Sequence, residues 1–141
     1  MTDGIASALA AAMAKCVEEL SVYQKAKAAS AEVSALILRP EFDRDFRLRG
    51  QLGASSERVA SLISEGFEQS TDRHFAQYCY RSKGSCAEMR TQLAVARDRK
   101  YISESERVHL DVQYEEIAKM LSGLIDHLER EDRKHRRRPP R

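Results

Sequence analysis

Tryptophan is absent from this chain, and prolines (three), glycines (six) and aromatic residues (nine of 141) are scarce. A β-sandwich needs regular turn signals and strands rich in Val, Thr and aromatics, so this poverty argues against one. No run of 18 apolar residues exists, which removes a membrane-spanning helix from consideration. The opening "MTDGIASALAAAMAKC" has an apolar run but carries Asp3 and no Lys or Arg ahead of it. It is therefore expected to be a cytoplasmic helix and not a signal sequence.

The cysteines are equally informative by what they do not form. Cys16, Cys79 and Cys86 make no CxxC and no zinc spacing. Seven residues on one helix separate Cys79 from Cys86 by about 10 Å along the axis, beyond the roughly 7 Å a disulfide spans between Cα atoms. All three are expected to be buried small hydrophobes in a reducing compartment. The four histidines, His74, His109, His127 and His135, include no HExxH, and Glu-x-x-His does not recur as a di-iron bundle requires. No strand-to-helix nucleophile elbow or glycine-rich phosphate loop is present. With no catalytic, cofactor or metal constellation, the chain is expected not to be an enzyme.

What is present is helix. Ala, Glu, Arg, Leu and Ser dominate, in a chain 42% hydrophobic and 33% charged. Punctuation divides it into a first helix from about Ile5 to Leu38, stopped at Pro40, and a second from about Asp43 to Gly66, with Gly66 as the stop. A third is capped by "QSTD" (69–72) and runs to about Arg99. A fourth opens on the capping box "SESE" (103–106) and reaches about Asp132. Apolar steps of three and four mark the inner faces. They read Leu20, Tyr23, Ala26, Val33 and Ile37 in the first helix, and Leu48, Leu52, Val59, Leu62, Ile63 and Phe67 in the second. The third shows Phe75, Cys79, Ser82, Cys86, Met89, Leu93 and Ala96; the fourth shows Leu110, Tyr114, Ile117, Leu121, Leu124 and Leu128. Four amphipathic helices with short connections predict an all-α, up-down-up-down antiparallel four-helix bundle over residues 1–132.

Two features fall outside that core. "REDRKHRRRPPR" (130–141) holds seven Arg or Lys against two acids, a net of +5 in a chain of +2, which leaves −3 for residues 1–129. Residues 133–141 are expected to form a disordered basic tail, with Arg133, Lys134, Arg136, Arg137, Arg138 and Arg141 as candidate contacts to nucleic acid. The competing reading is a solvated end that only aids solubility. The other feature is Gly84, which projects almost opposite the core face of the third helix. Ala76, Tyr80, Ala87, Thr91 and Ala94 lie around it, so the side opposite the core is made mostly of small residues. Such a stripe admits a close neighbour, and Ala76, Tyr80, Gly84, Ala87 and Thr91 are the candidate oligomer interface. Lys83, Arg90 and Arg97, at heptad spacing between the two faces, read as a solvated flank.

The stretch "LISEGFEQSTDRHFAQYCYRSKGSCAEMRTQL" (62–93) resembles the ribosomal-RNA intervening-sequence proteins. Ile63, Glu65, Gly66 and Phe67 match that family's first motif, and Phe75, Gly84, Ser85, Glu88, Gln92 and Leu93 its second. "VYQKAKA" (22–28), Gln51-Leu52 and "EEIAKMLSGLIDHL" (115–128) extend the likeness over roughly residues 18 to 128. "RVASL" (58–62) departs from it, lacking the family's proline and asparagine. The resemblance implies a four-helix bundle that assembles into a ring, commonly a homopentamer, without catalytic activity. It also implies kinship with accessory proteins of diversity-generating retroelements, which are thought to bind nucleic acid and a reverse transcriptase. Five tails of +5 would gather about 25 positive charges. The family's ribosomal label reflects where such genes lie, so it does not imply a ribosomal function. The expected role is a nucleic-acid-binding adaptor with RNA or DNA and a reverse transcriptase as partners. A protein-interaction scaffold without nucleic-acid affinity is the alternative.

Overall fold

In the computed structural model, which describes residues 13–139, all regular structure is helical. Four α-helices follow a short 3₁₀ turn at Val17–Glu19: α1 (Ser21–Leu36), α2 (Phe46–Phe67), α3 (Asp72–Asp98) and α4 (Glu104–Arg137). Each helix packs on its neighbour in the chain, and α1 closes the ring of contacts against α4. Polar pairs give the directions. Lys25 meets Glu116 and Glu32 meets His109 across α1 and α4. Ser82 donates to the Val59 carbonyl across α2 and α3, while Tyr80 reaches Glu129 and Arg90 reaches Asp111 across α3 and α4. Every seam is antiparallel, so the chain is an up-down-up-down four-helix bundle. Among the described residues no helix is long and apolar enough to cross a membrane.

The periodic stripes form the core. All seven residues read for α3 and all six for α4 are buried, as are Leu48, Leu52, Val59, Leu62 and Ile63 of α2. Phe67, Tyr23 and Ile37 pack at its margin. The first helix, however, is shorter than expected: Cys16 and Leu20 are extended, and α1 begins only at Ser21. Nine residues at 100° each would put Leu20 about 180° from Ala29 on one continuous helix. The break turns both Val17 and Leu20 back into the core, where they are buried. The expected stretch from Ile5 to Ala12 lies outside the described residues.

The helix ends are chemically specified. α2 starts at Phe46, not Asp43, because the Asp45 side chain is the cap, accepting from the Leu48 N–H at 3.1 Å. Arg99 and Tyr101 also donate to Asp45, joining the α1–α2 and α3–α4 connections. α3 is capped by Thr71 and closes with Lys100 at φ 66°, whose following N–H, on Tyr101, returns to the Ala96 carbonyl. That left-handed residue and six-residue bond satisfy an otherwise orphaned carbonyl. At the start of α4 both halves of the Ser103–Glu106 capping box are made. Glu106 also takes the Arg39 guanidinium, which with the Ser103 backbone holds its carboxyl down to about 2.

Gly66 does not end α2 as expected. The helix continues through Phe67, and among the described residues no glycine has positive φ. Its lack of a side chain serves packing: a Cβ there would lie 2.7 Å from Tyr78 Cβ and 2.9 Å from the Phe75 ring. Buried Ser55, Ser82 and Ser85 keep the rest of the α2–α3 seam thin, while Ser56 meets Ser30 of α1.

The two kinds of helical glycine should therefore respond oppositely to alanine. Gly66→Ala overpacks the seam and should cost about 1–3 kcal/mol. Gly50→Ala meets nothing within 4 Å and should add about 0.5–1 kcal/mol. Urea midpoints measure both, and equal responses would remove the packing role given to Gly66. For Glu106, the folded carboxyl lies below its ordinary 4.5, so its contribution is present above that pH and is lost as the pH falls toward 2. Glu106→Gln should melt below the wild type at neutral pH, with the gap closing as the pH falls through this window.

Candidate nucleic-acid interface

The basic end is largely helical. α4 continues five residues past the expected Asp132, carrying Arg133, Lys134, Arg136 and Arg137 on its final turns. Local pairing explains the extension: Lys134 bonds Glu131 at 3.0 Å and Arg136 bonds Asp132 at 3.2 Å, spacings that support helix. Cations in the last turn also complement the negative end of the helix dipole. Arg138, extended as the residue before Pro139 must be, closes the helix. Arg141 lies outside the described residues. Among those described, Arg130, Arg133, Arg137 and Arg138 have no acidic partner. Four unneutralised guanidinium groups thus crowd one end of one helix.

The flank reading of the other basic stripe fits its surroundings. Arg90 pairs with Asp111 and Glu115 of α4, and Arg97 with Asp98 of α3 and Glu104 of α4, so neighbouring acids neutralise them. Lys83 is exposed.

The small-residue stripe divides. Gly84, Ala87 and Thr91 are exposed, and no atom comes within 4 Å of a Cβ built on Gly84. Tyr80 is 51% exposed, but its hydroxyl donates to Glu129, tying it to the α4 flank. Ala76 is corrected to the core: it is only 3% exposed. Eight residues at 100° place it about 80° from Gly84, far enough round to lie beneath a neighbouring helix. The sequence reading missed two exposed valines one turn apart on α4, Val108 and Val112, at 43% and 53%. Both lie off the three-and-four stripe that defines the α4 core, and that displacement was the available signal.

Reactive groups are muted. Desolvation pushes the buried Cys79 and Cys86 thiols up to about 12, leaving them protonated and poorly nucleophilic. Cys16, expected inside, is exposed because the chain is extended there and Val17 takes the buried position. His74 engages the Thr71 hydroxyl, and His109 engages Glu32 and Gln113. Among the described residues no three His, Cys, Asp or Glu side chains are grouped to hold a metal ion. A groove of about 480 Å³ between α1 and α4 includes Glu32, Arg39, Glu106 and His109, but these side chains already engage one another, Arg39 with Glu106 and His109 with Glu32.

The chain is an antiparallel four-helix bundle with one strongly cationic helix end. The model of the 23S rRNA-intervening sequence protein family matches residues 18–123, and the chain belongs to that family. No curated protein and no solved structure matches it. The family match takes in α1 to α3 and most of α4 but stops short of the basic end.

If the exposed stripe of α3 meets another copy, Gly84→Leu should lower the solution mass measured by light scattering while the circular dichroism of the helices persists. An unchanged mass would show that Gly84 faces solvent.

Proposed function

We propose that this chain is a non-catalytic, oligomeric adaptor that binds nucleic acid through the C-terminal end of α4. The carrying observation is the cluster Arg130, Arg133, Arg137 and Arg138, exposed and without acidic partners among the described residues. Phosphates offer the charge and geometry that such guanidinium groups take up. The body of the chain is net negative, so attraction is confined to this end. Ring assembly, as a homopentamer, draws support from the outward Gly84, Ala87 and Thr91 and from the exposed Val108 and Val112. It would multiply weak contacts into avidity. The kinship with accessory proteins of diversity-generating retroelements that the family resemblance implies makes a reverse transcriptase the protein partner to test.

One observation favours a second reading. The family match ends at residue 123, so the basic end lies outside the residues it covers. A scaffold that binds only protein would treat that end as incidental.

Titrating RNA and DNA against the full chain and against a truncation after Asp132 separates the two. Affinity of the full chain should fall steeply between about 50 and 200 mM salt, and the truncation should bind weakly with a shallower slope. Equal affinity of the two proteins, or none, would leave the scaffold reading in place.

A further inference from the structure

A groove of about 480 Å³ opens where the α2–α3 turn meets α4. Phe67 and Phe75 form its apolar wall, ring edge to ring face with centroids 6.2 Å apart. Gln69, Ser70, His127 and Glu131 complete the polar side, with Asp72 at the start of α3. The volume falls within the range of about 300–1,000 Å³ common for small-ligand sites. Because Glu131 faces the first residues of α3 here, the six residues that follow carry α4 about 9 Å past the start of that helix.

That overhang is continuous with the groove. His127, Glu131, Lys134 and Arg138 succeed one another at steps of four, three and four, the spacing of a single helix face, and His135 lies beside them. Lys134 bonds Glu131, and both His127 and His135 act electrostatically on the same carboxylate. A cationic ledge thus borders a pocket with an apolar side of Phe67, Phe75 and Leu128 and a hydrogen-bonding side. Two carboxylates inside the groove repel a phosphate, whereas the ledge outside attracts one.

We propose that the groove receives an unstacked base of single-stranded nucleic acid, with the adjoining phosphates held on the Lys134–Arg138 ledge; this rests on the nucleic-acid reading above. A base in a duplex is stacked on both faces, so only a single strand, loop or bulge can present one to Phe67. The polar lining is rich in acceptors. One N–H of the Gln69 amide is bonded to the Glu65 carbonyl, which leaves its oxygen and its second N–H, and Asp72 and Glu131 add carboxylate oxygens. Bases bearing an amino group therefore fit better than uracil or thymine. Cytosine and uracil probe this effect, since they match in size and differ at C4, amino in cytosine and carbonyl in uracil, and at N3, which bears a proton only in uracil.

Fluorescence anisotropy with labelled oligo(C) and oligo(U) of roughly 12 nucleotides, and with a mixed-sequence duplex, tests the assignment on the full chain. Oligo(C) should bind at least about fivefold more tightly than oligo(U). Phe67→Ala should weaken oligo(C) binding about 5- to 100-fold while leaving the duplex, held by phosphate contacts, unchanged. Ser70→Trp, at an exposed position of the groove mouth, should do the same by filling it, and serves alone if Phe67→Ala fails to fold. Wild-type affinity of Ser70→Trp for all three probes, or equal binding of oligo(C) and oligo(U), would overturn the groove while leaving phosphate binding intact. A full chain that binds none of the three would overturn both this assignment and the nucleic-acid function.

Discussion

The thin seam between α2 and α3 is the constraint on which the rest of the bundle depends. α3 packs extensively on both α2 and α4, so its distance from α2 sets where everything beyond it lies. Gly66 and the buried Ser55, Ser82 and Ser85 hold that distance down, with the Ser82 hydroxyl donating to the Val59 carbonyl and the Ser55 hydroxyl to Glu88 across the seam. Buried polar groups so satisfied add little strain, while larger side chains would force the helices apart. At the Gly66 end of the seam the Phe67 and Phe75 rings meet edge to face, and they form the wall of the groove beside α4. Core packing and the candidate binding surface thus share the same close approach.

Much of this fold was legible in the residues because periodicity and capping are local. Every residue assigned to the α3 and α4 stripes is buried, and Ser103 and Glu106 form the reciprocal cap their spacing required. What escaped was set by tertiary demand. Leu20 belongs to the apolar set of the first helix yet points the wrong way on a continuous one, and only the break before Ser21 resolves the conflict. Of the two conspicuous glycines one was misread: Gly66 looked like a stop and is closely packed, whereas Gly84 faces away from the core as its place on the helix required. A glycine announces permissiveness without saying which neighbour, if any, requires it.

The C-terminal end was misread for a different reason. Arginine repeats followed by two prolines suggested a disordered tail, but the acids at Glu131 and Asp132 sit at helical spacing from Lys134 and Arg136. Those pairs, together with the favourable placement of cations against the helix dipole, carry α4 up to the residue before Pro139. The difference matters for function. A disordered tail samples many orientations, whereas a helix presents its cations at fixed angles relative to the groove beneath. Ordering cost is then met in folding and not at the moment of binding.

Symmetry sharpens the consequence of that fixed geometry. A cyclic ring relates its copies by rotation about one axis, and a rotation does not turn a subunit end over end. If the bundles stand along such an axis, every α4 end emerges on the same face. The net negative bodies of the subunits would then form the wall of the ring, with the positive charge gathered at one mouth. Dihedral pairing would instead divide the cations between two opposite faces and halve the density on each. A polyanion meeting the cyclic arrangement finds a single attractive surface and a repulsive flank, which favours approach along the axis over lateral binding. The polarity of one helix end, repeated without inversion, would become the polarity of the assembly.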